Sequence, residues 1–512
     1  MKKSLFFIAA LLVAMTGCNK EPQQGGPATQ EGQLYMQFSV NMLTTRTATD
    51  GEQEYPSDAT PDFEVGKDRE NTISKVDIVL TNADSYVVAN DVVPSAASKD
   101  TYVASFNTLE LTAGATYDVY VYANCEAPTA KDIDQVSTES VANITLDNNF
   151  WMTNAYEPVA TTLPTDLSLY TQPHNPLNLG SHYVERAMAR FDYMPINDNE
   201  YEILKDEAVN ATITLTEAAL INQSKAFYMF RRVSADGTNA NWEQGGLESM
   251  INYVVDTDYA AKAGGYAEGL AANFDYHMTA PEDWVWKSIA QADLGEADSW
   301  EGTDDGQSGV DGNHKLNDYY IWQYAKENTI PGAKVQDHGI STGVVFKGEI
   351  TGAAVEAAGG ETIYVFENVL YGKWADVVTA SEATNAPATL VAAVNKIAAK
   401  EAPVAADYAA AGFTGYKAED GKYYAYYYYW NRHNDNGDNT TMGAMEFAVV
   451  RNNVYKLCVD KIAKFGHPNP DDVDPIDPDP VDPDDPDEEI NYYFTVTVKV
   501  LPWVVRVNHI EF

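Results

Sequence analysis

Segments in which apolar and polar residues alternate recur along the chain, and this alternation limits the fold more than any other feature. The first of them, LYMQFSVNM, has five apolar residues on one face: Leu34, Met36, Phe38, Val40 and Met42. The segments SKVDIVLTN, YDVYVYANC and HYVERAMARFDY repeat the pattern further along. A period of two is that of a strand with one buried face. Strands at this spacing, separated by turn residues, predict a mainly β protein built from β-sandwiches.

Two parts of the chain differ from this pattern. The segment ATLVAAVNKIAAKE has a helical period, with four apolar residues on one face: Leu390, Val391, Val394 and Ile397. The section from about 237 to 334 is rich in Asp, Gly, Trp and Asn, and we expect loops and short helices there. The aromatic run YYAYYYYW, residues 423–430, is interpreted as a half-buried strand, with stacking on sugars as the alternative.

The chain is strongly acidic and is long enough for two or three domains. Its 512 residues include 76 Asp and Glu against 33 Lys and Arg, which gives a net charge of −43. A surface this negative repels phosphate backbones, so the composition argues against a nucleic-acid partner. Hydrophobic residues make up 45% of the chain, which indicates a globular protein rather than a disordered one.

The reactive residues follow no pattern that a catalytic or metal site requires. Cys125 and Cys458 lie far apart beside strand-like segments, and buried free thiols are favoured over a disulfide. Neither cysteine is spaced with histidine as in a zinc site, and no phosphate-binding glycine motif or framed nucleophile is present. The sequence therefore predicts no cofactor, no metal and no enzymatic activity.

The N-terminus has the features of an export signal. Lys2 and Lys3 precede the apolar segment SLFFIAALLVAM, which is too short for a permanent membrane span. It ends in MTGC, where small residues stand just before Cys18, as in a bacterial lipobox. We expect removal of the signal and acylation of Cys18, which would attach the precursor to a membrane through lipid. An ordinary signal peptide with a coincidental cysteine is the alternative.

The C-terminal region combines an unfoldable segment with a strand. Residues 467–490 carry Pro at every second or third position among acidic residues, which predicts an extended tether reaching on the order of 60 Å. Calcium binding by its Asp residues is a weaker alternative, because the prolines separate the carboxylates. In the strand that follows, one face carries Phe494, Val496, Val498 and Val500. The alternation changes phase at Pro502. From there the apolar residues that align are Leu501, just before the proline, and Trp503, Val505 and Val507 after it. A strand joining its own sheet needs no such tether, so we expect this one to reach a neighbouring molecule.

These features resemble the fimbrillins of type V pili, and most of all the Mfa-type minor fimbrillins of anaerobic oral and gut bacteria. The resemblance rests on the MTGC lipobox, the first strand followed by TTRT, the segment YVERAMAR, and VVRNNVYKL leading through the Pro/Asp tether to VTVKVLPW. It covers both ends of the chain and scattered strands, but not the long middle section. It implies two transthyretin-like β-sandwich domains with a few short helices, followed by an extended C-terminal donor strand.

The resemblance also implies a maturation pathway. A trypsin-like protease would cut the Arg46–Thr47 bond, with Lys67 as a weaker alternative site, and would thereby remove the lipid on Cys18 together with the first strand. The C-terminal strand of the next subunit, Phe494 to Val507, would then fill the groove. The expected organisation is a signal peptide (1–18), a propeptide with the first strand (19–46), an N-terminal β-sandwich (47–196), a C-terminal β-sandwich (197–468), an Asp/Pro tether (469–490) and a donor strand (491–512).

The function that these expectations imply is that of a structural subunit of a cell-surface fimbria. Its partners would be other copies of itself in a head-to-tail polymer, the tip and anchor subunits, the processing protease and the outer membrane. Such a polymer would support adhesion and biofilm formation. Two alternatives remain open at this stage: an accessory tip or anchor subunit, and a glycan-binding outer-membrane lipoprotein that uses the Trp-rich middle section.

Overall fold

The computed structural model describes residues 32–42, 66–96, 98–131, 135–234, 242–244, 253–258, 274–275, 284–297, 319–329, 341–433, 445–470 and 494–502. Its six α-helices in these ranges are α1 (Asp68–Asn71), α2 (Val141–Ile144), α3 (Ala353–Ala358), α4 (Trp374–Ser381), α5 (Ala388–Ala398) and α6 (Ala405–Ala410). Single 3-10 turns are found at Thr108–Glu110, Ser168–Tyr170 and Asn197–Asn199. None of the described helices combines the length and the apolar character that crossing a membrane requires.

Strands supply most of the regular structure. Those of the first part of the chain are β1 (Gln33–Met42), β2 (Val76–Thr81), β3 (Tyr86–Val92), β4 (Pro94–Ser95), β5 (Ser98–Asn107), β6 (Thr116–Ala123), β7 (Val136–Ser137), β8 (Met152–Asn154), β9 (Val159–Thr162), β10 (Leu177–Arg186) and β11 (Ala189–Met194). The next are β12 (Glu200–Lys205), β13 (Ala208–Ile221), β14 (Gln223–Ser224), β15 (Phe227–Tyr228), β16 (Arg232–Ser234), β17 (Trp242–Gln244), β18 (Tyr253–Val254), β19 (Phe274–Asp275) and β20 (Lys287–Ser288). The last are β21 (Tyr320–Ala325), β22 (Gly343–Thr351), β23 (Ile363–Phe366), β24 (Val369–Tyr371), β25 (Phe413–Tyr416), β26 (Tyr424–Trp430), β27 (Asn453–Ile462) and β28 (Phe494–Pro502).

The first domain is built on a nine-stranded sheet in the order β3-β2-β6-β8-β10-β1-β5-β4, with β9 paired to β6. Strand β1 alternates between half-buried and buried residues, whereas β2 is buried along its whole length. Together with β5, β6 and β10 they enclose one apolar core. The burial of one face of β1 is what the period-two pattern in the sequence requires.

The second domain packs a four-stranded sheet, β21-β11-β27-β28, together with a five-stranded sheet of β12, β13, β22 and β26, with β20 paired to β13. Their facing residues form the second core, in which Phe191 of β11 stacks on Tyr455 of β27 with ring centroids 4.9 Å apart. The expected fold class of two β-sandwich domains with a few short helices is therefore confirmed.

The chain passes between the two sandwiches at Ala187 and Met188. The segment HYVERAMARFDY, which the sequence predicts as one strand, forms the end of β10 in the first sheet and β11 in the second. The crossing lies before the expected domain boundary at 196, so β11 belongs to the second sandwich. Both Ala187 and Met188 are fully buried, which makes the junction a part of the core and not a linker.

A smaller module is inserted between β22 and β26. It contains α3 to α6 and a three-stranded sheet in the order β24-β23-β25. The predicted helix is confirmed as α5, because Leu390, Val394 and Ile397 are all buried in the module's own small core. The expected buried free thiols are also confirmed, since Cys125 and Cys458 are both buried and unbridged.

Candidate functional site

The first strand is deeply built into the first sandwich. Its ten residues, Gln33–Met42, alternate without a break between half-buried and buried positions. The five apolar residues that the sequence places on one face are at most 8% exposed: Leu34, Met36, Phe38, Val40 and Met42. The predicted inward face of β1 is therefore the one observed.

Strand β1 has a hydrogen-bonded neighbour on each side. It runs antiparallel to β5, where Gln33 faces Asn107 and Ser39 faces Thr101. On the other side it runs parallel to β10, from Met36 opposite Leu177 to Met42 opposite Val184. If β1 were removed, two facing strand edges and a row of apolar side chains would be exposed, which defines a slot between β5 and β10. We call this the β1 slot.

Phe38 makes aromatic contacts with both strands that flank the β1 slot. Its ring stacks on Tyr102 of β5, with centroids 5.5 Å apart and an interplanar angle of 16°. It meets His182 of β10 edge-on at 6.3 Å. Opposite Phe38 the register of β10 shifts at a bulge, which contains Gly180 with a φ of +87°. Glycine suits that left-handed conformation, and the bulge makes room for the aromatic ring.

The processing residues expected from the resemblance lie outside the described residues. This holds for Cys18, Arg46 and Thr47, and the first described residue after β1 is Gly66. Strand β1 is joined to the rest of the folded domains through residues 43–65. A cut anywhere in that range would therefore leave β1 held in its slot by noncovalent contacts alone.

Lys67, the weaker alternative processing site, is held in a folded turn. Its carbonyl accepts hydrogen bonds from the backbone N–H groups of Glu70 and Asn71, at 2.8 and 3.1 Å. Its own N–H donates to the Glu70 carboxylate at 2.7 Å. A protease would have to unfold the start of α1 to bind this residue.

Helix α1 is anchored by a buried ionic network between the two sandwiches. Arg190 of β11 donates to Glu70 of α1 at 2.8 Å and binds both carboxylate oxygens of Asp192, each at 2.8 Å. Lys456 of β27 donates to the same Asp192 at 3.1 Å, and Tyr324 of β21 donates to Glu70 at 2.5 Å. Burial by itself would raise the pKa of Glu70, but Arg190, the Lys67 N–H and Tyr324 together hold it below the ordinary value.

The two motifs that carried much of the resemblance, YVERAMAR and VVRNNVYKL, meet at this network. Arg186 donates to the side-chain oxygen of Asn452 at 3.2 Å, and the Asn452 N–H donates to the Met188 carbonyl at 2.9 Å. Arg186 and Arg190 are the two arginines of YVERAMAR, and both bind partners at this junction. Both are buried and hydrogen-bonded, so their role at this junction is structural.

The last strand lies in the second sandwich of its own chain. Residues Phe494–Pro502 form β28, which pairs antiparallel with β27 from Ile462 to Asn453. It is the edge strand of its four-stranded sheet in the described part of the chain. The sequence predicts that this strand reaches another molecule, and in a single chain it lies on β27. Trp503, Val505 and Val507, which complete the expected donor segment, lie outside the described residues.

The first and last strands are therefore not brought together. Strand β1 belongs to the nine-stranded sheet of the first sandwich, and β28 to the four-stranded sheet of the second. The β1 slot and the terminal strand lie in different sheets of the molecule. Any contact between two copies that joined one of these regions to the other would be head-to-tail, and such contacts can extend into an open filament.

The aromatic run is a strand of the second sandwich, as interpreted from the sequence. Tyr423 and Tyr427 are 1% exposed and face the core. The opposite face of β26 carries the buried Tyr426 and several half-buried rings, which pack with Trp284 and Trp286. Sequence reasoning missed Tyr102 and His182, the two rings around Phe38. Both stand in alternating segments, but their pairing with β1 depends on long-range sheet order.

Comparison with known proteins places these features in a family. The model described as "Major fimbrial subunit protein (FimA)" matches residues 36–240. The model described as "Major fimbrial subunit protein type IV, Fimbrillin, C-terminal" matches residues 421–509. The first match begins inside β1 and spans both neighbours of the slot, and the second spans β26, β27 and β28.

Several solved structures are also similar to this chain. A fimbrilin (fimA) from Porphyromonas gingivalis W83 has 13% identity and a TM-score of 0.38, with 92% of this chain and 98% of that chain covered. The tip fimbrial protein Mfa3 from Porphyromonas gingivalis has 9% identity and a TM-score of 0.30, with 92% and 100% covered. A fimbrial assembly protein from Parabacteroides distasonis has 9% identity and a TM-score of 0.23, with 62% and 95% covered. No curated protein matches the chain.

The two family models together span more than half of the 512 residues and include both strands of interest. They agree with the resemblance that the sequence motifs predicted. The chain belongs to the fimbrillins, the structural subunits of cell-surface fimbriae.

Proposed function

We propose that this protein is a shaft subunit of a fimbria and polymerises by protease-triggered strand exchange. In this proposal β1 is a temporary occupant of the β1 slot, and the C-terminal strand of another copy replaces it. One observation carries the proposal: β1 is an interior strand, hydrogen-bonded on both sides and buried along one whole face, yet it is joined to the rest of the fold by a single stretch of chain, residues 43–65.

The energetics of the slot favour its being filled. Each large apolar side chain buried there stabilises by roughly 1.5–3 kcal/mol, and each backbone hydrogen bond adds about 0.5–1.5 kcal/mol net. The covalent link holds β1 in place before cleavage, because rebinding of a tethered strand is intramolecular. After cleavage the departing strand is diluted into solvent, so a segment from another subunit can compete for the slot.

The terminal segment has the composition to fill the slot. Phe494, Val496, Val498 and Val500 alternate as the inward residues of β1 do, and Leu501, Trp503, Val505 and Val507 continue after the phase change. In the single chain β28 pairs with β27, so donation requires β28 to leave that edge. The Asp/Pro tether lets it do so, since an extended chain of some twenty residues reaches on the order of 60 Å.

The proposal includes a maturation pathway that acts on the N-terminal residues. In this proposal the precursor is exported as an outer-membrane lipoprotein acylated on Cys18, and a trypsin-like protease cuts the Arg46–Thr47 bond. The cut removes the lipid and frees β1 together. The mature subunit then joins a polymer whose ends are closed by tip and anchor subunits, and the polymer supports adhesion and biofilm formation without enzymatic activity.

Two other functions are less well supported by the chain. A tip subunit needs no terminal donor strand, and an anchor subunit needs no processing site, whereas this chain has both a terminal strand and Arg46. A glycan-binding lipoprotein would use exposed aromatic rings. The outer rings of β26 instead pack against each other and against tryptophan, as in the 5.9 Å contact between Trp286 and Tyr426.

The proposal is tested by following polymer formation after proteolysis. Purified precursor is treated with a trypsin-like protease, and the products are separated on a gel without boiling. We expect a ladder of stable polymers and a mature N-terminus at Thr47. Arg46→Ala is expected to stay uncut and monomeric, and Lys67→Ala is the matched control that should process normally. If Arg46→Ala forms an ordinary ladder, the processing step is wrong.

A second experiment tests the donor strand. Deletion of 491–512 is expected to leave a folded monomer that is cleaved but gives no ladder. A matched pair refines the result, because the sequence alternation predicts that Val498→Asp blocks polymerisation while Thr497→Asp leaves it nearly intact. Ordinary ladders from the deletion variant would contradict strand exchange.

A further inference from the structure

A titratable side chain lies in the seam between β1 and β10. His182 is 2% exposed and stands directly opposite Val40 in the parallel register of the two strands. Its ring is edge-on to Phe38 at 6.3 Å, so β1 provides part of the apolar cover over the imidazole. Removal of β1 would take away both Phe38 and Val40, and would open this side of His182 to water.

The surroundings of His182 offer little compensation for a positive charge. Neither ring nitrogen makes a well-formed hydrogen bond with the described residues. The groups on the β1 side of the ring include Phe38 and Val40 and, across Phe38, Tyr102 of β5. Burial, reinforced by Asp100, raises the pKa of Tyr102, so that hydroxyl remains neutral throughout the relevant range.

The nearest charged residues along β10 are engaged elsewhere. Glu185 forms an ion pair with Arg231 at 3.2 Å, and Arg186 hydrogen-bonds with the Glu70 carbonyl at 3.3 Å and with Asn452. They stand three and four residues from His182, about 10 Å or more along a strand. Burial lowers the pKa of His182 to about 4, and the Leu179 backbone offsets part of this shift.

We propose that His182 is a pH sensor of the β1 slot, such that protonation of its imidazole favours the departure of β1. The docked strand favours a neutral ring, because a charged imidazole would be buried without an acidic side chain among the described residues to balance its charge. The open slot accepts either form. Acidification therefore weakens the binding of β1, the strand that keeps the precursor from exchanging strands with another copy. This regulatory role rests on the proposed function.

The sign and size of the effect follow from linkage. The pKa of His182 is lowered in the docked state, so the stabilisation of β1 is complete above the ordinary value of 6.5 and is lost as pH falls towards 4. With those two values, the opening equilibrium of β1 is roughly 30-fold more favourable at pH 5 than at pH 7.5. Between pH 7.5 and pH 9 we expect almost no change.

Hydrogen exchange on the intact chain tests this without requiring cleavage or polymerisation. The observable is the protection of the β1 amides at pH 5 and pH 7.5, corrected for the intrinsic exchange rate at each pH. We expect β1 protection to fall roughly 30-fold at pH 5, while amides of β13 in the second sandwich change much less. The latter serve as the internal control for global loss of stability.

Variants assign the effect to the imidazole. His182→Gln is expected to abolish the pH dependence, and His182→Leu is the second variant if the first does not fold. His174→Gln, which alters an exposed histidine of the same domain, should retain the full effect. An unchanged protection ratio in the wild-type chain would overturn the proposal, as would a full effect in a folded His182 variant.

The outcome is separable from that of the proposed function. If β1 opens in acid but cleaved protein gives no ladder, the sensor stands and strand exchange fails. If ladders form at the same rate at both pH values and β1 protection is constant, strand exchange stands and the sensor fails.

Discussion

Replacing Phe38 by alanine is the perturbation that best measures how β1 is held. Phe38 is fully buried, stacks on Tyr102 and contacts His182 edge-on. Truncating a buried Phe to Ala costs about 3–5 kcal/mol, through lost transfer free energy and the cavity left behind. Every 1.4 kcal/mol is a factor of ten in an equilibrium constant, so the dissociation constant of β1 should rise by at least about 100-fold.

The assay uses cleaved protein that lacks residues 491–512, in which no terminal strand competes for the slot. The N-terminal fragment that contains β1 is labelled, and its dissociation is followed at pH 7.5 by size-exclusion chromatography and native mass spectrometry. Phe38→Ala should release this fragment at least about 100-fold more readily than the parent chain does.

The matched control is Asn41→Ala. Asn41 lies on the opposite face of the same strand and is half-buried, so we expect a change of about 0.5 kcal/mol or less. Equal release of the fragment from the two variants would refute the reasoning, because it would mean that the inward face of β1 does not hold the strand.

Three further predictions concern the junction and the second sandwich. Arg190→Ala should destabilise the folded chain by about 3–5 kcal/mol in urea unfolding, because it leaves the buried carboxylates of Glu70 and Asp192 without their shared partner; a loss below 1 kcal/mol would mean that the network is dispensable. The pKa of Glu70 is lowered by its partners in the folded state, so its contribution to stability is complete above the ordinary value of 4.5 and should be lost as pH falls below it. Urea unfolding of the parent and of Glu70→Gln across pH 3–6 should therefore converge in acid, and parallel curves would contradict this. Gly466→Ala should cost about 1–3 kcal/mol by thermal unfolding, because a Cβ there would lie 2.3 Å from the Tyr426 carbonyl oxygen; an unchanged melting temperature would show that this approach is not tight.

Local pattern was sufficient to predict most strands and their inward faces. The alternation of β1 fixes which side chains are buried because register and face are coupled in a strand. Much the same holds for α5, where Leu390, Val394 and Ile397 of the predicted stripe are buried while Val391 is only half-buried. The fimbrillin motifs at the two ends of the chain were likewise sufficient to identify the family.

Long-range pairing was beyond sequence reasoning. The segment LYMQFSVNM does not indicate that β5 and β10 will flank it. The aromatic contacts of Phe38 and the burial of His182 therefore could not be predicted. The division of HYVERAMARFDY into two strands depends on a buried crossing between sheets at Ala187 and Met188. The placement of β28 on β27 also depends on which edge is free in a single chain.

The most direct test of strand exchange is the structure of the polymer. In filaments grown from processed protein, electron cryomicroscopy should resolve β5 and β10 with a strand between them. We expect that strand to come from residues 491–512 of an adjacent subunit, with β1 absent. A filament in which β1 still lies between β5 and β10, or in which no segment of another copy occupies the slot, would contradict the account.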